Sequence, residues 1–211
     1  MTDFNPQAFW KDPDKSKMPA KIKRICRPTF YLDQHELTEL VCSTLMKYIR
    51  PHESIVELGS GTGRNLAGLK AVGYDHIAGI EISKQAIDEG RRRWRILNGV
   101  QMQNAAIEDI LDFIPSVDCI FTLGTLMHIP TKNDWVFKTM TKKARHIIMT
   151  IELENGHRAT PIAAGGNVYA WARNYGDIFT GFGWKELETR TCEAIMPLLG
   201  KDNILRVFEH G

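Results

Sequence analysis

A regular alternation of short apolar segments with helical segments, between residues 54 and 153, constrains the fold more than any other feature of this sequence. Short, apolar segments rich in β-branched residues are typical of buried strands. Five are predicted, at Ser54–Leu58, His76–Ile82, Val100–Ile107, Val117–Leu123 and Arg145–Leu153. Helices are predicted between them at Gly63–Val72, Ser83–Leu97 and Lys132–Ala144, with Ser83 as an N-cap. Strands separated by helices favour right-handed βαβ units, and therefore a parallel sheet with helices on both faces.

The end of the chain departs from this alternation. A helix is predicted at Val168–Phe179, followed by two strands near Lys185–Glu193 and Asn203–Glu209. The two strands are separated only by residues 194–202, and a parallel crossover needs a dozen residues or more. They should therefore pair antiparallel. The predicted fold class is α/β: a doubly wound, seven-stranded, mostly parallel sheet with a C-terminal antiparallel hairpin and helices on both faces.

The start of the chain is of a different kind. Residues 1–34 contain four prolines and are predicted to be irregular, and the amphipathic helix His35–Arg50 follows, ended by Pro51. A length of 211 residues suits one domain. The sequence therefore predicts an N-terminal segment, 1–34, and one α/β domain, 35–211.

Composition narrows the functional classes. No apolar run approaches the roughly 20 residues that cross a bilayer, and residues 1–10 lack the apolar core of a secretory signal. The four cysteines are scattered without a CxxC pair, so neither a zinc site nor a disulfide framework is indicated. We therefore expect a cytoplasmic protein that binds no metal and does not enter a membrane. The net charge of +2 does not by itself indicate a nucleic-acid partner, although basic residues cluster within 11–27 and 91–95.

A glycine-rich turn, ELGSGTG at 57–63, follows the first predicted strand. Ligands of open α/β sheets bind beyond the carboxyl ends of the strands, where this turn lies. Gly59 allows a tight turn, Gly61 allows close approach of a ligand, and Gly63 allows close packing where the helix starts. The spacing G-x-G-x-G differs from the dinucleotide fingerprint G-x-G-x-x-G, whose third glycine would fall at Arg64. The turn therefore favours a cofactor without a pyrophosphate.

Acidic and apolar residues near the next strand ends complete a nucleoside site. Glu81 ends the second strand, where a carboxylate can accept both ribose hydroxyls, a device that NAD enzymes also use. Glu57 lies within an apolar strand, so it should face a cationic ligand group or cap backbone amides. Ile82 and Ile107 are predicted walls for adenine, with Glu108 or Asp109 accepting from its amino group or acting as N-cap.

Four motifs resemble those of class I S-adenosylmethionine (SAM)-dependent methyltransferases: ELGSGTGRN (57–65), GIEIS (79–83), AAIEDI (105–110) and FTLGTLMHI (121–129). The resemblance implies SAM as cofactor, with its methionine ammonium at Glu57. The cofactor-binding candidates are Glu57, Gly59, Ser60, Gly61, Thr62, Gly63, Asn65, Glu81, Ile82, Ile107, Glu108, Leu123 and Gly124. Within the class, the N-terminal Asn5, Phe9, Trp10 and Lys11, with FTLGTLMHI, are similar to a methylase type associated with pseudaminic acid biosynthesis.

Methyl transfer from a sulfonium is an in-line displacement, so the protein must align the acceptor and, for a hydroxyl acceptor, remove its proton. His128, just after the fourth strand, is the first candidate base, with packing or capping as its alternative role. Glu152, near the end of the fifth strand, is the second candidate and is equally consistent with a surface residue.

Substrate contacts are expected outside the cofactor motifs. Residues 1–34 are a candidate lid that Trp10 and Tyr31 would close over the active site. Further candidates follow strand five: Arg158, Tyr169, Arg173 and Tyr175. Arg173 is the preferred anion clamp, because a guanidinium binds carboxylate or phosphate bidentately. The alternative is that the aromatic residues 169, 171 and 175 form the core of a short helix.

The predicted function is O- or N-methylation of a small molecule, a sugar or an acidic metabolite, since no second domain is available to hold a macromolecule. An RNA or DNA methyltransferase that uses the basic N-terminal segment is the alternative. Residues 123–126 read LGTL instead of the Asn/Asp-Pro-Pro-Tyr/Phe motif of amino-methylating nucleic-acid enzymes, which disfavours that subclass. A non-catalytic SAM-binding module and an NAD-dependent oxidoreductase are further alternatives, and the sequence does not indicate an oligomeric state.

Overall fold

A computed structural model of the chain describes residues 5–154, 159–164, 166–192 and 202–211. The strands in these ranges are β1 (Ile55–Leu58), β2 (Ile77–Glu81), β3 (Gln101–Asn104), β4 (Val117–Leu123), β5 (Ala144–Leu153), β6 (Thr160–Ala164), β7 (Asn167–Ala172), β8 (Lys185–Thr191) and β9 (Asn203–Glu209). The helices are α1 (Pro6–Lys11), α2 (Ala20–Ile25), α3 (His35–Tyr48), α4 (Arg64–Ala71), α5 (Lys84–Arg93), α6 (Ile107–Ile110), α7 (Trp135–Lys143) and α8 (Tyr175–Gly181).

Seven of the strands form one sheet in the order β3-β2-β1-β4-β5-β9-β8. The first five strands of that order run parallel, and β9 is antiparallel to both β5 and β8. This confirms the predicted doubly wound sheet with an antiparallel end. The chain reverses its winding direction between β1 and β4, so the crevice for a ligand lies at the carboxyl ends of these two strands.

Apolar clusters cover both faces of the sheet, as the predicted helices require. One cluster contains Leu45 of α3 and Leu66 of α4, and the other contains Phe137 of α7 and Phe179 of α8. The predicted N-cap is also confirmed, because the Ser83 hydroxyl accepts from the Ala86 amide at 3.3 Å. None of the described helices is long and apolar enough to span a membrane.

The helix predicted at Val168–Phe179 is wrong in its first half. Residues 167–172 form β7, which pairs antiparallel with β6 in a separate two-stranded ribbon, and the helix begins only at Tyr175. The start is set by Asn174, whose side chain accepts from the Asp177 amide at 3.0 Å. The β-branched and aromatic residues of 168–171 suit a strand, and in so short a run helical and strand periods are hard to distinguish.

The N-terminal segment is more regular than predicted. It contains α1, α2 and two 3-10 turns, at Pro13–Lys15 and Pro28–Tyr31. Its prolines do not break these elements, because Pro6, Pro13 and Pro28 stand in first turns, where a missing N–H is not needed.

Candidate active site

A cavity of about 250 Å³ opens at the carboxyl ends of β1, β2, β3 and β4. The loops that follow these strands form its floor, and α1, the region around Cys26 and the β6–β7 ribbon form its cover. Twelve of the thirteen predicted cofactor residues line it, all except Gly63, together with His128, Trp10 and Tyr169. The sequence motifs therefore converge on one cavity.

The glycine-rich turn adopts the backbone that its sequence requires. Gly59 and Gly61 have φ of 72° and 55°, in the left-handed region that disfavours other residues. A Cβ at Gly59 would lie 2.2 Å from the Thr125 Oγ1 atom, whereas a Cβ at Gly61 would have nothing within 4 Å. Gly59 is therefore required by packing, and Gly61 leaves open space beside the cavity. Gly63 faces Met102 behind the turn, which explains its absence from the lining.

Glu57 presents a buried carboxylate to this cavity. Its Oε1 atom accepts from the Asn65 Nδ2 atom at 2.6 Å, and its Oε2 atom has no hydrogen-bond partner among the described residues. Burial raises the pKa of Glu57 to about 8, because no neighbour fully compensates the charge. The alternative role was capping of backbone amides, but among the described residues no backbone amide donates to the Glu57 carboxylate. A cationic ligand group would satisfy the Oε2 atom, so this end of the cavity fits an ammonium.

Glu81 shapes the turn while facing the cavity. Its two carboxylate oxygens accept from the Gly61 and Ser83 amides, both at 2.7 Å. Burial raises its pKa, and these two amide donors oppose that effect. Each oxygen retains a lone pair for a further donor. The arrangement is compatible with ribose hydroxyls at Glu81, which stays a prediction.

The predicted adenine walls, Ile82 and Ile107, both line the cavity. Of the two acids that the sequence left open, Glu108 lines the cavity and Asp109 is exposed. The Glu108 Oε1 atom accepts from the Asn133 Nδ2 atom at 3.1 Å, which fixes its direction. Position in the cavity therefore favours Glu108 as the acceptor for an amino group.

His128 lies in the 3-10 turn Leu126–His128 after β4, and its ring packs 4.3 Å from the Trp10 ring, centroid to centroid. The Nδ1 atom is 3.0 Å from the Tyr169 carbonyl oxygen, which can only accept, so Nδ1 carries the proton. Burial lowers the pKa of His128 to about 4. The imidazole is therefore neutral near pH 7, with the lone pair on Nε2 available to a ligand.

Glu152 does not have either of the roles considered from sequence. It is fully buried, and its carboxylate accepts from three successive backbone amides, those of Thr125 at 2.9 Å, Leu126 at 3.0 Å and Met127 at 3.2 Å. Burial raises its pKa to about 6. It does not line the cavity, so it is neither a surface residue nor placed to act as a base there. Its contacts hold the loop that carries His128.

The preferred anion clamp, Arg173, is also placed elsewhere. It is 2% exposed, and its guanidinium donates to the carbonyls of Leu126 and Ile129 and to the Asp134 carboxylate. Tyr175 is fully buried against Phe137. Neither lines the cavity, because both are held in the packing between α7 and the loop after β4, residues 124–134, which we call the β4 loop. Arg158 and the side chain of Tyr31 lie outside the described residues.

Several lining residues were not predicted, among them Gln7, Cys26, Thr125 and Met127. Thr125 and Met127 follow β4 directly, so the rule that ligands bind at strand ends would have found them. Gln7 and Cys26 reach the cavity only because the N-terminal segment folds across it, and no local sequence pattern predicts that contact.

Comparison with known proteins agrees with this geometry. Residues 55–146 match the family of the methyltransferase domain. Magnesium protoporphyrin IX methyltransferase from Synechocystis PCC 6803, solved with SAM, has a TM-score of 0.64 at 13% identity, over 99% of this chain and 98% of that chain. DhpI with S-adenosylhomocysteine (SAH) has a TM-score of 0.63 at 14% identity, over 98% and 95%.

A third solved structure is the 1,6-didemethyltoxoflavin-N1-methyltransferase of Burkholderia thailandensis with SAH, which has a TM-score of 0.65 at 8% identity, over 86% of this chain and 80% of that chain. At such identities the structural likeness establishes the fold, which is that of class I methyltransferases.

Proposed function

We propose that this chain is a SAM-dependent methyltransferase that transfers the methyl group of SAM to a small molecule held between the β4 loop and the N-terminal segment. The observation that carries the proposal is one cavity with two complementary ends. One end holds the Glu57 Oε2 atom, buried and without a hydrogen-bond partner among the described residues. The other end holds His128, neutral and with Nε2 available.

The residues at the Glu57 end would hold the cofactor. Glu57 would receive the ammonium of its methionine part, and Gly61 leaves room for the ligand beside the turn. Glu81 would accept ribose hydroxyls, with the adenine between Ile82 and Ile107 and its amino group near Glu108. When bound, SAM supplies a methyl group already activated on a sulfonium, so the protein needs no nucleophile of its own.

His128 would remove the proton of the acceptor. Its Nε2 atom can take that proton because Nδ1 is already engaged by the Tyr169 carbonyl. The low pKa keeps the ring unprotonated before the reaction over the neutral pH range. It also makes the imidazole a weaker base, so the proton would move while the acceptor attacks the methyl group, when that proton is most acidic. Glu152 keeps the ring in position by fixing the preceding amides.

The same contacts support a division of the chain into two parts. Residues 35–211 would form the catalytic domain, and residues 1–34 would act as a lid, since Gln7, Trp10 and Cys26 roof the cavity. A covered cavity of about 250 Å³ suits a small acceptor better than a polymer. The similarity to methylases associated with pseudaminic acid biosynthesis stays a sequence-based prediction of the pathway.

A nucleic-acid acceptor is disfavoured by the ion pairing within the basic clusters at 11–27 and 91–95. Several of their members already pair with acids, as Lys15 does with Asp12 and Arg27 with Asp14. Such pairs leave less positive charge for phosphates, which dominate nucleic-acid affinity.

Calorimetric titration with SAM, SAH and NAD in parallel tests the cofactor assignment. Binding of SAM and SAH without NAD is expected, and binding of NAD alone would overturn the proposal. Methyl transfer from labelled SAM to a small-molecule extract then tests the role of His128. We expect His128→Gln to lower kcat by roughly a hundredfold with little change in SAM affinity.

The matched control is His76→Gln, an exposed histidine that does not line the cavity and should leave kcat unchanged. An unchanged kcat in His128→Gln would exclude its role as base.

A further inference from the structure

We call the acceptor end that part of the cavity lined by the N-terminal segment, by residues 125–129 after β4 and by β7, and it includes Gln7, Trp10, Cys26, Met127, His128 and Tyr169. From its chemistry we infer that the methyl acceptor is an uncharged molecule with an apolar body, and that it is methylated on a hydroxyl oxygen. This rests on the proposed function and narrows its substrate to one class. It also departs from the acidic metabolite that the sequence suggested.

Charge is unevenly distributed around the cavity. The described lining has four charged side chains, and all lie on the cofactor side: Glu57 in β1, Glu81 at the end of β2, Arg64 in the helix after β1 and Glu108 in the helix after β3. The acceptor end has none in the described part of the chain, since His128 is neutral and the Cys26 thiol has its pKa raised to about 12. The one cation of the described lining, Arg64, is buried beside Glu57 and donates to Asn65.

An anionic acceptor would therefore find no counter-charge from the described residues at this end of the cavity, and the sulfonium of bound SAM, which disappears in the reaction, would be the one cation beside it. A carboxylate or phosphate in such a site loses its hydration, and no described side chain at this end replaces that solvation. The guanidinium that could have paired with it, Arg173, does not line the cavity and donates to three backbone carbonyls and to Asp134. Lys11 and Lys15, in the N-terminal segment, are exposed and do not line the cavity.

The polar atoms of the acceptor end match a hydroxyl group. The Trp10 Nε1 atom is buried and has no hydrogen-bond partner among the described residues, and an indole N–H can only donate. The neighbouring His128 ring offers a lone pair on Nε2. A hydroxyl can accept from the indole and donate to the imidazole, whereas an ionised carboxylate has no proton for Nε2.

The transfer is balanced with these groups alone. The acceptor oxygen forms its bond to the methyl carbon while the carbon–sulfur bond breaks and its electron pair stays on sulfur. The hydroxyl proton moves to His128 Nε2, so the positive charge passes from sulfur to the imidazolium. The products are a methyl ether and SAH.

The test separates acceptors by charge before the reaction. An extract of the source organism is first divided by size into macromolecules and small molecules, and the small molecules are passed over anion and cation exchangers. Each fraction, the macromolecules included, is then incubated with the full chain and SAM labelled in its methyl group. Label in the uncharged flow-through, in an alkali-stable product, is expected. Label confined to the anion fraction would overturn the inference and leave the proposed function standing. Label confined to macromolecules, or in no fraction, would overturn both.

A pair of variants tests the hydroxyl assignment. Trp10→Phe keeps the aromatic ring and removes the N–H, so the acceptor KM should rise roughly three- to tenfold with SAM affinity unchanged. Trp135→Phe alters an exposed tryptophan that does not line the cavity and is the control. An acceptor KM that is the same in both variants would overturn the assignment of the Trp10 N–H to the acceptor.

Discussion

At the scale of single residues, the ionised form of Glu57 destabilises the ligand-free fold but favours binding of a cationic ligand group. A carboxyl group with a pKa of about 8 is largely protonated at neutral pH, and forcing it to ionise in the folded state is unfavourable. For a group whose pKa is raised by folding, the contribution to stability is full below the ordinary value, near 4.5, and is lost as the pH rises through about 8. An ammonium beside the Oε2 atom reverses this, because it favours the ionised form.

Glu57→Gln is therefore expected to have opposite effects on stability and on binding. The ligand-free variant should lose less stability than the parent between pH 5 and pH 8 in thermal unfolding, since no charge is left to bury. Its affinity for SAH should fall by about 1–3 kcal/mol in titration calorimetry, because the ammonium loses its carboxylate. An affinity equal to that of the parent would exclude Glu57 as the ammonium site.

At the scale of elements, the cofactor turn depends on a helix that follows the next strand. Gly90 of α5 packs on the turn so closely that a Cβ there would lie 1.6 Å from the Thr62 carbonyl oxygen. In an unconstrained helix, alanine is preferred to glycine by about 1 kcal/mol. Here the contact is with backbone, which cannot move aside as a side chain could.

We expect Gly90→Ala to weaken SAM binding at least roughly tenfold and to lower Tm, despite the better helix propensity of alanine. Gly181→Ala is the matched control, because a Cβ at this glycine of α8 meets nothing within 4 Å. It should leave binding unchanged. Equal effects of the two substitutions, measured by calorimetry and thermal unfolding, would contradict the packing argument.

Sequence patterns predicted elements well where the fold itself fixes them. β4 and β9 have the predicted bounds, because apolar runs buried within the sheet end sharply at polar residues or glycine. The ribbon of β6 and β7 was not predicted, because it lies outside the sheet. Its short apolar run also fits both the helical and the strand periodicity of side chains. The residues that line the cavity after β1 to β4 were predictable because strand ends position them. The position of Arg173 was not, because sequence does not show which partners a buried guanidinium finds.

At the scale of the whole molecule, the cover of the cavity has its own small core. Phe9, Met18 and Cys26 form a cluster separate from the two that pack on the sheet, and Tyr169 of β7 packs against it. A cluster of so few buried side chains stabilises its region less than the sheet is stabilised, so the cover should open locally without unfolding the rest.

Hydrogen exchange measures this difference directly. Amides of α1 and α2 should exchange much faster than those of β4 in the ligand-free protein, and the amides of α3, which packs on the sheet, serve as the control. SAH together with a methyl acceptor should slow exchange in α1 and α2 with little effect on α3. Exchange of α1 and β4 at one common rate would show that the cover and the sheet open as a unit.

The place of β9 between β5 and β8 has a consequence for the order in which the protein is made. A growing chain that has reached Thr191 contains the five parallel strands and all of β8, but β8 has no neighbour in the sheet until residues 203–209 emerge. Until then β5, whose residues from Ile147 to Ile151 are apolar or threonine and buried in the finished sheet, presents an open edge. Unpaired edges of this kind recruit strands from other chains. The interval between translation of β8 and of β9 thus leaves the edge of β5 open to pairing with strands of other chains.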